Sequence, residues 1–352
     1  MRALWSQLDR LIGRAMLDEE DPTALGLCRI VVVGIMTASM LTHVGAVSDY
    51  FSSHALLNGE AAREAFHSRW SIFFTFDEPW QVRTIFAVGV VAHLLWLVGL
   101  FTRVASFIAW GVWISMVGRQ PLLYALPDQL HTALITVMMI LPAGRGLSLD
   151  ARWRGKRRPV PVWCRRLVQL QIAVVYVSTG ALKSGATWRD QGTAIYYTLL
   201  NPYNRHFVMD SWLASIQPWI LRPATWATVV WEVGFGGFVV LHWLREMLGR
   251  PRRFPDLRKI FLTFGVLMHG GIQVLLYVEW FTPLMIASYT AFLTPDEVTR
   301  VGAWLRRRRG GAPSEAAPDS PDDAAADERG AEPAEDEPAA AESEASDDPP
   351  SS

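Results

Sequence analysis

A single lysine ends one of the apolar runs of this sequence. In "VYVSTGALKSGATWRD", residues 175–190, Lys183 stands where the run stops, ahead of Trp188. Tyr176, Thr179 and Lys183 follow the spacing i, i+3, i+7, which places them on one face of a helix. A lysine amine becomes a base when an apolar environment disfavours its ammonium form. The pattern therefore predicts a basic group at a helix end. The alternative is a lysine that extends to the lipid headgroups.

Five further polar side chains interrupt other apolar runs. Asp128 and His131 are three residues apart, and His269 and Gln273 are four apart, so each pair shares a helix face. Glu232 lies alone near the middle of its run. An isolated polar or charged group is costly in hydrocarbon, so such residues face a bundle interior and pair with another group. We predict that these five residues line a functional site.

Each of these residues also has a structural interpretation. Glu232 is compatible with an ion pair to Lys183 or to Arg29. The histidine and glutamine that share a face suit hydrogen bonds between helices. Asp128, which directly follows Pro127, suits a helix N-cap.

Known signatures of soluble enzymes are absent. The sequence has no phosphate loop, dinucleotide fingerprint, HExxH or serine nucleophile elbow. Cys28 and Cys164 form neither a disulfide framework nor a metal-ligand spacing, and both are predicted as small buried side chains. No metal is expected.

Charge is distributed unevenly along the 352 residues. Residues 311–352 contain 14 Asp or Glu and one Arg, and this composition predicts a disordered acidic tail. The remaining body is basic, but its basic residues cluster beside apolar runs, which favours membrane orientation over nucleic-acid binding. Residues 1–22 carry leucines at helical spacing and predict an amphipathic helix on the membrane surface. Residues 299–310 are predicted to be a basic anchor.

The candidate residues must be positioned by membrane helices. Eight windows of the sequence are apolar, and each is long enough to cross much of a hydrocarbon core of about 30 Å. They are 24–47, 82–101, 104–121, 128–142, 164–183, 223–243, 258–277 and 281–296. The fold class predicted is an all-α membrane protein with about eight transmembrane helices.

Basic residues in the connections predict the topology. Residues 143–166 carry eight of them, residues 244–259 six, and "RVGAWLRRRR" five. The positive-inside rule requires basic segments to lie in the cytoplasm. All three segments do so if both termini are cytoplasmic. We therefore predict a multi-pass protein of the cell (inner) membrane. The aromatic residues of 48–81 and 184–222 predict interfacial loops that cap the outer face.

Four stretches of the chain resemble a known family. They are "PDQLHTALITVMMILPAGRGLSLD", "PVPVWCRRLVQLQ", "RRLVQLQIAVVYVSTGALKSGATWRDQGTAIYY" and "LMHGGIQVLLYVEWFTPLMIASYTAFLTPDE". Together they resemble the vitamin K-dependent γ-carboxylases and their bacterial relatives, the horizontally transferred transmembrane (HTTM) domain proteins. The resemblance implies an HTTM-like transmembrane domain over residues 23–298.

The resemblance also implies a chemistry. The carboxylases use reduced vitamin K, O₂ and CO₂ to carboxylate glutamate side chains of a protein, and release the quinone epoxide. Lys183 matches the base of their "G-x-x-K…W" region, His131 is the nearest match to an assisting histidine, and His269 matches a later one. We expect Lys183 to initiate catalysis, both histidines to stabilise the developing oxyanion, and the other candidates to bind and orient, namely Tyr176, Thr179, Trp188, Glu232, Gln273 and Asp128.

Two functions follow from these observations. The first is an enzyme that uses reduced vitamin K or menaquinone to carboxylate a secreted peptide or protein at the outer face of the lipid bilayer. The second is a non-enzymatic membrane factor for peptide binding, maturation or export. The sequence departs from the carboxylases at Leu182, where they commonly have a second lysine, and in the acidic tail that replaces their large non-membrane domain.

Overall fold

The computed structural model of the protein describes residues 13–65, 69–155, 158–249 and 255–308. The predicted acidic tail over 311–352 and the first twelve residues of the predicted surface helix lie outside them. The chain divides into two compact units, Met1–Gly302 and Ala303–Ser352. Of the second unit, only the end of one helix belongs to the described residues.

The described residues are mainly helical. The principal helices are α1 (Thr23–Leu41), α2 (Pro79–Val98), α3 (Thr102–Arg119), α4 (Leu126–Ile140), α5 (Trp163–Leu182), α6 (Arg222–Met247), α7 (Arg258–Leu275), α8 (Phe281–Ser288) and α9 (Pro295–Arg308). Shorter α-helices span Val47–Phe51, Gly59–Ala65, Leu149–Trp153, Ala186–Arg189, Ala194–Leu200 and Asp210–Ile216. Short 3₁₀ segments cover Val44–Ala46, Ile72–Phe74, Pro121–Leu123, Ala143–Arg145 and Tyr289–Phe292, and π-helical turns cover Gly13–Leu17 and Gln217–Leu221.

Local sequence explains where several helices begin and end. Pro79 opens α2 at a position where its missing N–H costs nothing. Gly99 ends the same helix in a left-handed conformation with φ of 75°, which a glycine adopts without steric cost. Thr294 and Glu297 cap the start of α9, since each side chain accepts a hydrogen bond from the other residue's backbone N–H.

The core lies where α5 packs against α6, α2 against α3, and α1 against α2 and α8. Large side chains fill it, including Trp96, Trp113, Phe235 and Phe292. Apolar side chains also cover the outside of the helices, and examples exposed on α2 and α3 are Val88, Val91, Val104 and Phe107. Such an apolar outer surface suits lipid rather than water.

Three segments of the described chain are long and apolar enough to cross a membrane: Thr23–Phe51, Pro79–Val98 and Ser211–Met247. They correspond to the first, second and sixth predicted spans. The predicted span at 281–296 is not one continuous helix. It consists of α8, a 3₁₀ segment and the start of α9, and the eight residues of α8 extend only about 12 Å at 1.5 Å per residue. Pro295, at the start of α9, is preceded by extended residues that interrupt the helical path.

The N-terminal segment differs from the prediction of a surface helix through residue 22. Helical structure ends at Leu17, and Glu19–Glu20 forms a short strand, β1, that pairs antiparallel with Val160–Pro161, β2. Directly after β1, the Asp21 carboxylate accepts the backbone N–H of Thr23, the first residue of α1. At the other end, α9 runs through most of the predicted basic anchor.

The end of the bundle that contains Arg165, here called the Arg165 face, carries buried ion pairs. Arg165 is 3% exposed and binds Glu20 at 2.9 Å and Glu246 at 3.2 Å. Arg166 contacts Glu246 at 3.5 Å. Both arginines belong to the basic stretch 143–166 from which the topology was predicted. The structure places them in the first turn of α5, where carboxylates from distant segments bind them.

The opposite end, here called the Lys183 face, carries a layer of short helices between α5 and α6. Leu199, Met209, Leu213 and Leu221 form a small apolar core there, separate from the main one. The segment around His206 pairs with the end of α7, since the His206 N–H donates to the Leu275 carbonyl at 3.0 Å. This layer corresponds to the predicted cap over 184–222.

Candidate functional site

Lys183 lies directly after the last residue of α5. Its backbone N–H still donates to the Thr179 carbonyl at 3.2 Å, but its ψ of 56° turns the chain out of the helix. Gly180, one turn earlier, lets α5 and α6 approach closely, because a Cβ at this position would lie 2.9 Å from the Glu232 Cβ. The end of α5 is therefore held against the middle of α6.

Lys183 forms an ion pair with Glu232. Its Nζ lies 2.5 Å from Glu232 Oε2, and the two side chains are 19% and 9% exposed. The ammonium also lies 5.1 Å from the centre of the Trp188 ring, within the range of a cation–π contact. Of the two partners proposed for Glu232, the structure selects Lys183. Arg29 instead binds the carbonyls of Ala143 and Leu147.

A short helix covers this pair. Ala186–Arg189 follows Lys183 after a two-residue connection and packs on α6. The Arg189 Nε donates to the Lys183 carbonyl at 3.1 Å, and the Trp226 indole of α6 donates to the Arg189 carbonyl at 3.0 Å. These contacts fix Trp188 over the ammonium. A long cationic side chain at a helix end is thereby directed into the protein.

A hydrogen-bonded chain of rings lies deeper on the same seam. The Tyr176 hydroxyl lies 2.7 Å from His269 Nε2 and 2.5 Å from the Tyr289 hydroxyl. All three residues are buried. Tyr176 precedes Lys183 by seven residues, so this chain begins about 10 Å farther along α5 at 1.5 Å per residue. The Trp231 and Phe235 rings of α6 pack against Tyr176, both at 4.6 Å between centroids.

Two buried polar atoms of α7 have no hydrogen-bond partner among the described residues. They are Nδ1 of His269, whose side chain is buried, and Oε1 of Gln273. Because the Tyr176 hydroxyl contacts the other ring nitrogen, Nδ1 of His269 is free to donate or accept. A buried polar atom without a partner costs free energy, which a polar ligand group would recover.

His131 and Asp128 belong to a neighbouring cluster. The His131 ring stacks on Trp113 at 3.7 Å and meets His93 edge-on at 6.3 Å. Both of its ring nitrogens are buried and lack a hydrogen-bond partner in the described part of the chain. Asp128 accepts the backbone N–H of Ala125 at 2.9 Å, so its carboxylate caps the start of α4 from within the first turn.

The structure thus brings together some of the predicted residues. Lys183 contacts both Glu232 and Trp188, and Tyr176 contacts His269. The Thr179 hydroxyl donates to carbonyls of α5 and also interacts with the Glu232 carboxylate. Two residues that contact Tyr176, namely Tyr289 and Trp231, were not predicted as members of the site. The only available signal was a hydroxyl or indole within an apolar run, and such residues are common at membrane interfaces.

The described residues contain no group of three or more His, Cys, Asp or Glu side chains placed to hold a metal ion. Both cysteines are buried free thiols.

Helices of membrane-spanning length, an apolar outer surface and buried polar residues between the helices define a helical membrane protein. The HTTM domain model matches residues 18–296, which is most of the chain. The protein therefore belongs to the HTTM domain family, a family of membrane domains associated with carboxylase-like proteins. No curated protein and no solved structure matches the sequence.

Proposed function

We propose that this protein is a membrane enzyme of the γ-carboxylase type in which the Lys183–Glu232 pair carries out the first proton transfer. The observation that supports the proposal is the 2.5 Å separation of Lys183 Nζ from Glu232 Oε2 in a pair largely screened from water. Two groups at this distance exchange a proton directly. An ammonium group is not a base, so the lysine acts only after its proton has passed to the carboxylate.

The residues fit a reduced naphthoquinone, such as reduced vitamin K or menaquinone. The Trp188 ring offers an aromatic face at the ion pair, and His269 Nδ1 and Gln273 Oε1 offer unpaired polar atoms for hydroxyl groups. When bound, the reduced quinone supplies, by reaction with O₂, the strong base that removes a γ-proton from glutamate before CO₂ is captured. The neutral amine of Lys183 accepts the first hydroxyl proton, and Glu232 stores the proton that the lysine gave up.

The hydrogen-bonded tyrosines assist in this proposal. Tyr289 and Tyr176 connect to His269, so charge that develops near His269 is stabilised along a chain of hydrogen bonds. His131 contacts neither Lys183 nor His269, and we assign it to the neighbouring Trp113 cluster rather than to the first proton transfer. Asp128 is assigned to the capping of α4.

The proposed substrate is a secreted peptide or protein at the outer face of the cell membrane. The positive-inside rule places the Arg165 face and both termini in the cytoplasm, and the Lys183 face outside. The cap on the Lys183 face exposes aromatic residues, among them Tyr203 and Trp219, at 90% and 81%. These suit contacts with headgroups or with a peptide.

Purified protein is tested with reduced menaquinone, O₂, labelled bicarbonate and a glutamate-rich peptide. We expect quinone epoxide and labelled peptide in equal amounts. Lys183→Arg keeps the positive charge but cannot act as a base, so both products should be lost. The matched control is Lys259→Arg, the same substitution at an exposed lysine at the start of α7. Equal turnover by wild type and Lys183→Arg would remove the lysine from the chemistry.

One observation favours the second candidate function, a non-enzymatic peptide-binding factor. The cap exposes large apolar side chains, among them Val208 at 80%. For such a factor, Lys183→Arg would leave peptide binding unchanged. Loss of peptide binding on replacement of Val208 and Trp219 by Ser, with no epoxide formed by the wild type, would support this function.

A further inference from the structure

The Arg165 face contains a cavity with four arginines. It has a volume of about 340 Å³ and lies between the start of α3 and the segment after α4. The arginines that line it are Arg103, Arg145, Arg154 and Arg158. Asp150 is the single carboxylate among the lining residues, so the cavity carries an excess of positive charge.

Asp150 is already committed to the protein. Its carboxylate accepts the backbone N–H groups of Phe101 and Thr102 and the Thr102 hydroxyl, at 2.7 to 3.0 Å. Burial alone would raise the pKa of Asp150, but these hydrogen bonds lower it below its ordinary value. The carboxylate therefore stays ionised while it caps α3, and it does not occupy all the guanidinium groups.

All four arginines have spare donors for a ligand. Arg103 and Arg145 each donate one N–H to a backbone carbonyl, of Ile140 and Pro159, and both distances are 2.8 Å. Arg154 and Arg158 are exposed, and their guanidinium groups donate no hydrogen bond within the described part of the chain. Guanidinium groups bind phosphate oxygens in paired, charge-assisted hydrogen bonds.

An apolar groove continues from this cavity along the outside of the bundle. The groove lies between α2 and α3, has a volume of about 490 Å³, and shares Phe101 and Val104 with the cavity. From Leu95 to Thr84 it extends eleven residues along α2, about 16 Å at 1.5 Å per residue. That length matches one leaflet of a hydrocarbon core about 30 Å thick.

We propose that the cavity and the groove together bind one anionic phospholipid. The phosphate lies among the guanidinium groups, and one acyl chain lies along α2 and α3. The charge of the cavity selects an anionic headgroup, and the apolar lining of the groove requires a lipid rather than a free anion. The site lies on α2, α3 and the segment after α4, and none of its residues belongs to the Lys183 site.

Binding is tested on the full chain in a neutral detergent, by thermal unfolding during titration with phosphatidylglycerol, phosphatidylcholine or glycerol 3-phosphate. We expect saturable stabilisation by phosphatidylglycerol alone. The variant Arg154→Gln/Arg158→Gln should bind it roughly 30-fold more weakly, since each cation near a membrane surface contributes about a fivefold factor. The guanidinium groups of these two arginines make no hydrogen bond to the described residues, so the variant should retain its fold.

The matched control is Arg152→Gln/Arg300→Gln, which removes the same charge outside the cavity. Ala87→Trp fills the groove and should weaken phosphatidylglycerol binding, whereas Leu94→Trp, outside the groove, should not. Equal binding by the Arg154→Gln/Arg158→Gln variant and its control would overturn the proposal. Stabilisation by glycerol 3-phosphate as large as that by phosphatidylglycerol would overturn it too, because the groove would then contribute nothing.

Discussion

Lys183 Nζ and Glu232 Oε2 lie 2.5 Å apart across the seam between α5 and α6. The two residues are 49 positions apart in the chain, and the close approach of their helices at Gly180 brings them together. Each side chain explains why the other is tolerated between apolar helices, because an unpaired charge there would be costly.

Loss of one partner of this pair should destabilise the protein more than loss of both. Lys183→Met or Glu232→Leu alone leaves a largely buried charge without a partner. Each single variant should lower the unfolding free energy by about 2 kcal/mol. This is less than the loss from breaking a fully buried ion pair, because the lysine is partly exposed. The double variant Lys183→Met/Glu232→Leu should recover much of this loss. Thermal unfolding in detergent measures all three. If the loss in the double variant equals the sum of the two single losses, the two side chains do not stabilise each other.

Gly180→Ala should disturb the same seam. The new Cβ would lie 2.9 Å from the Glu232 Cβ and 3.0 Å from Val233 Cγ2, so the helices must separate or shift. We expect a loss of about 1–3 kcal/mol, as for other overpacked sites. Gly237→Ala in α6 is the control, because its Cβ would meet no atom within 4 Å. If both variants unfold at the same temperature, the contact at Gly180 is not tight.

Tyr176→Phe should weaken the chain of hydrogen bonds around His269. The change removes the hydroxyl that contacts both His269 and Tyr289, and leaves two buried polar groups without this partner. We expect a loss of about 1–3 kcal/mol in unfolding free energy. Tyr197→Phe removes a hydroxyl from a half-exposed ring in the cap and should have little effect. If Tyr176→Phe lowers epoxide formation by more than its loss of stability explains, the Tyr176 hydroxyl also has a catalytic role.

Acid should remove the stability contributed by a surface cluster on the Arg165 face. The Arg258 guanidinium holds the pKa of Asp256 at about 2, below its ordinary 3.8. Burial alone would raise the pKa of Glu297, but hydrogen bonds from Arg258 and Thr294 hold it at about 2 instead of 4.5. A carboxylate whose pKa is lower in the folded than in the unfolded state stabilises the fold at pH values above its unfolded-state pKa. This stabilisation is lost as the pH falls towards 2.

Glu297→Gln tests this pH dependence. The variant should unfold at a lower temperature than wild type at pH 6, and the difference should shrink between pH 4.5 and pH 2.5. The exposed Glu60→Gln is a control for the loss of one negative charge. A difference between wild type and Glu297→Gln that stays constant over this range would show that the carboxylate does not stabilise the fold by its charge.

Several features could be predicted from local sequence. The apolar runs predicted most helix positions to within a few residues, because lipid-compatible helices must satisfy their backbone internally and present apolar side chains outward. The i, i+3, i+7 spacing predicted that Tyr176 and Lys183 project to the same side of α5. Both contact α6 residues, Trp231 and Glu232.

Other features depend on contacts between distant segments. The ion pairs of Arg165 with Glu20 and Glu246 join residues 145 and 81 positions apart, and no local pattern distinguishes such an arginine from a loop anchor. The pairing of Tyr176 with Tyr289 spans 113 positions in the same way. The separate surroundings of His131 also follow from the packing of α4 beside Trp113 rather than from its spacing to Asp128.

The sequence by itself determined that the chain forms apolar helices, that a lysine ends one of them and that a few polar residues lie within the others, because helix periodicity and hydrophobicity are properties of neighbouring residues. Only the tertiary structure decided that this lysine turns inward to Glu232, and that Tyr176 meets His269 and Tyr289. The physical reason is that buried charges and hydroxyls take partners from whichever helices pack beside them, and that packing is a property of the whole bundle.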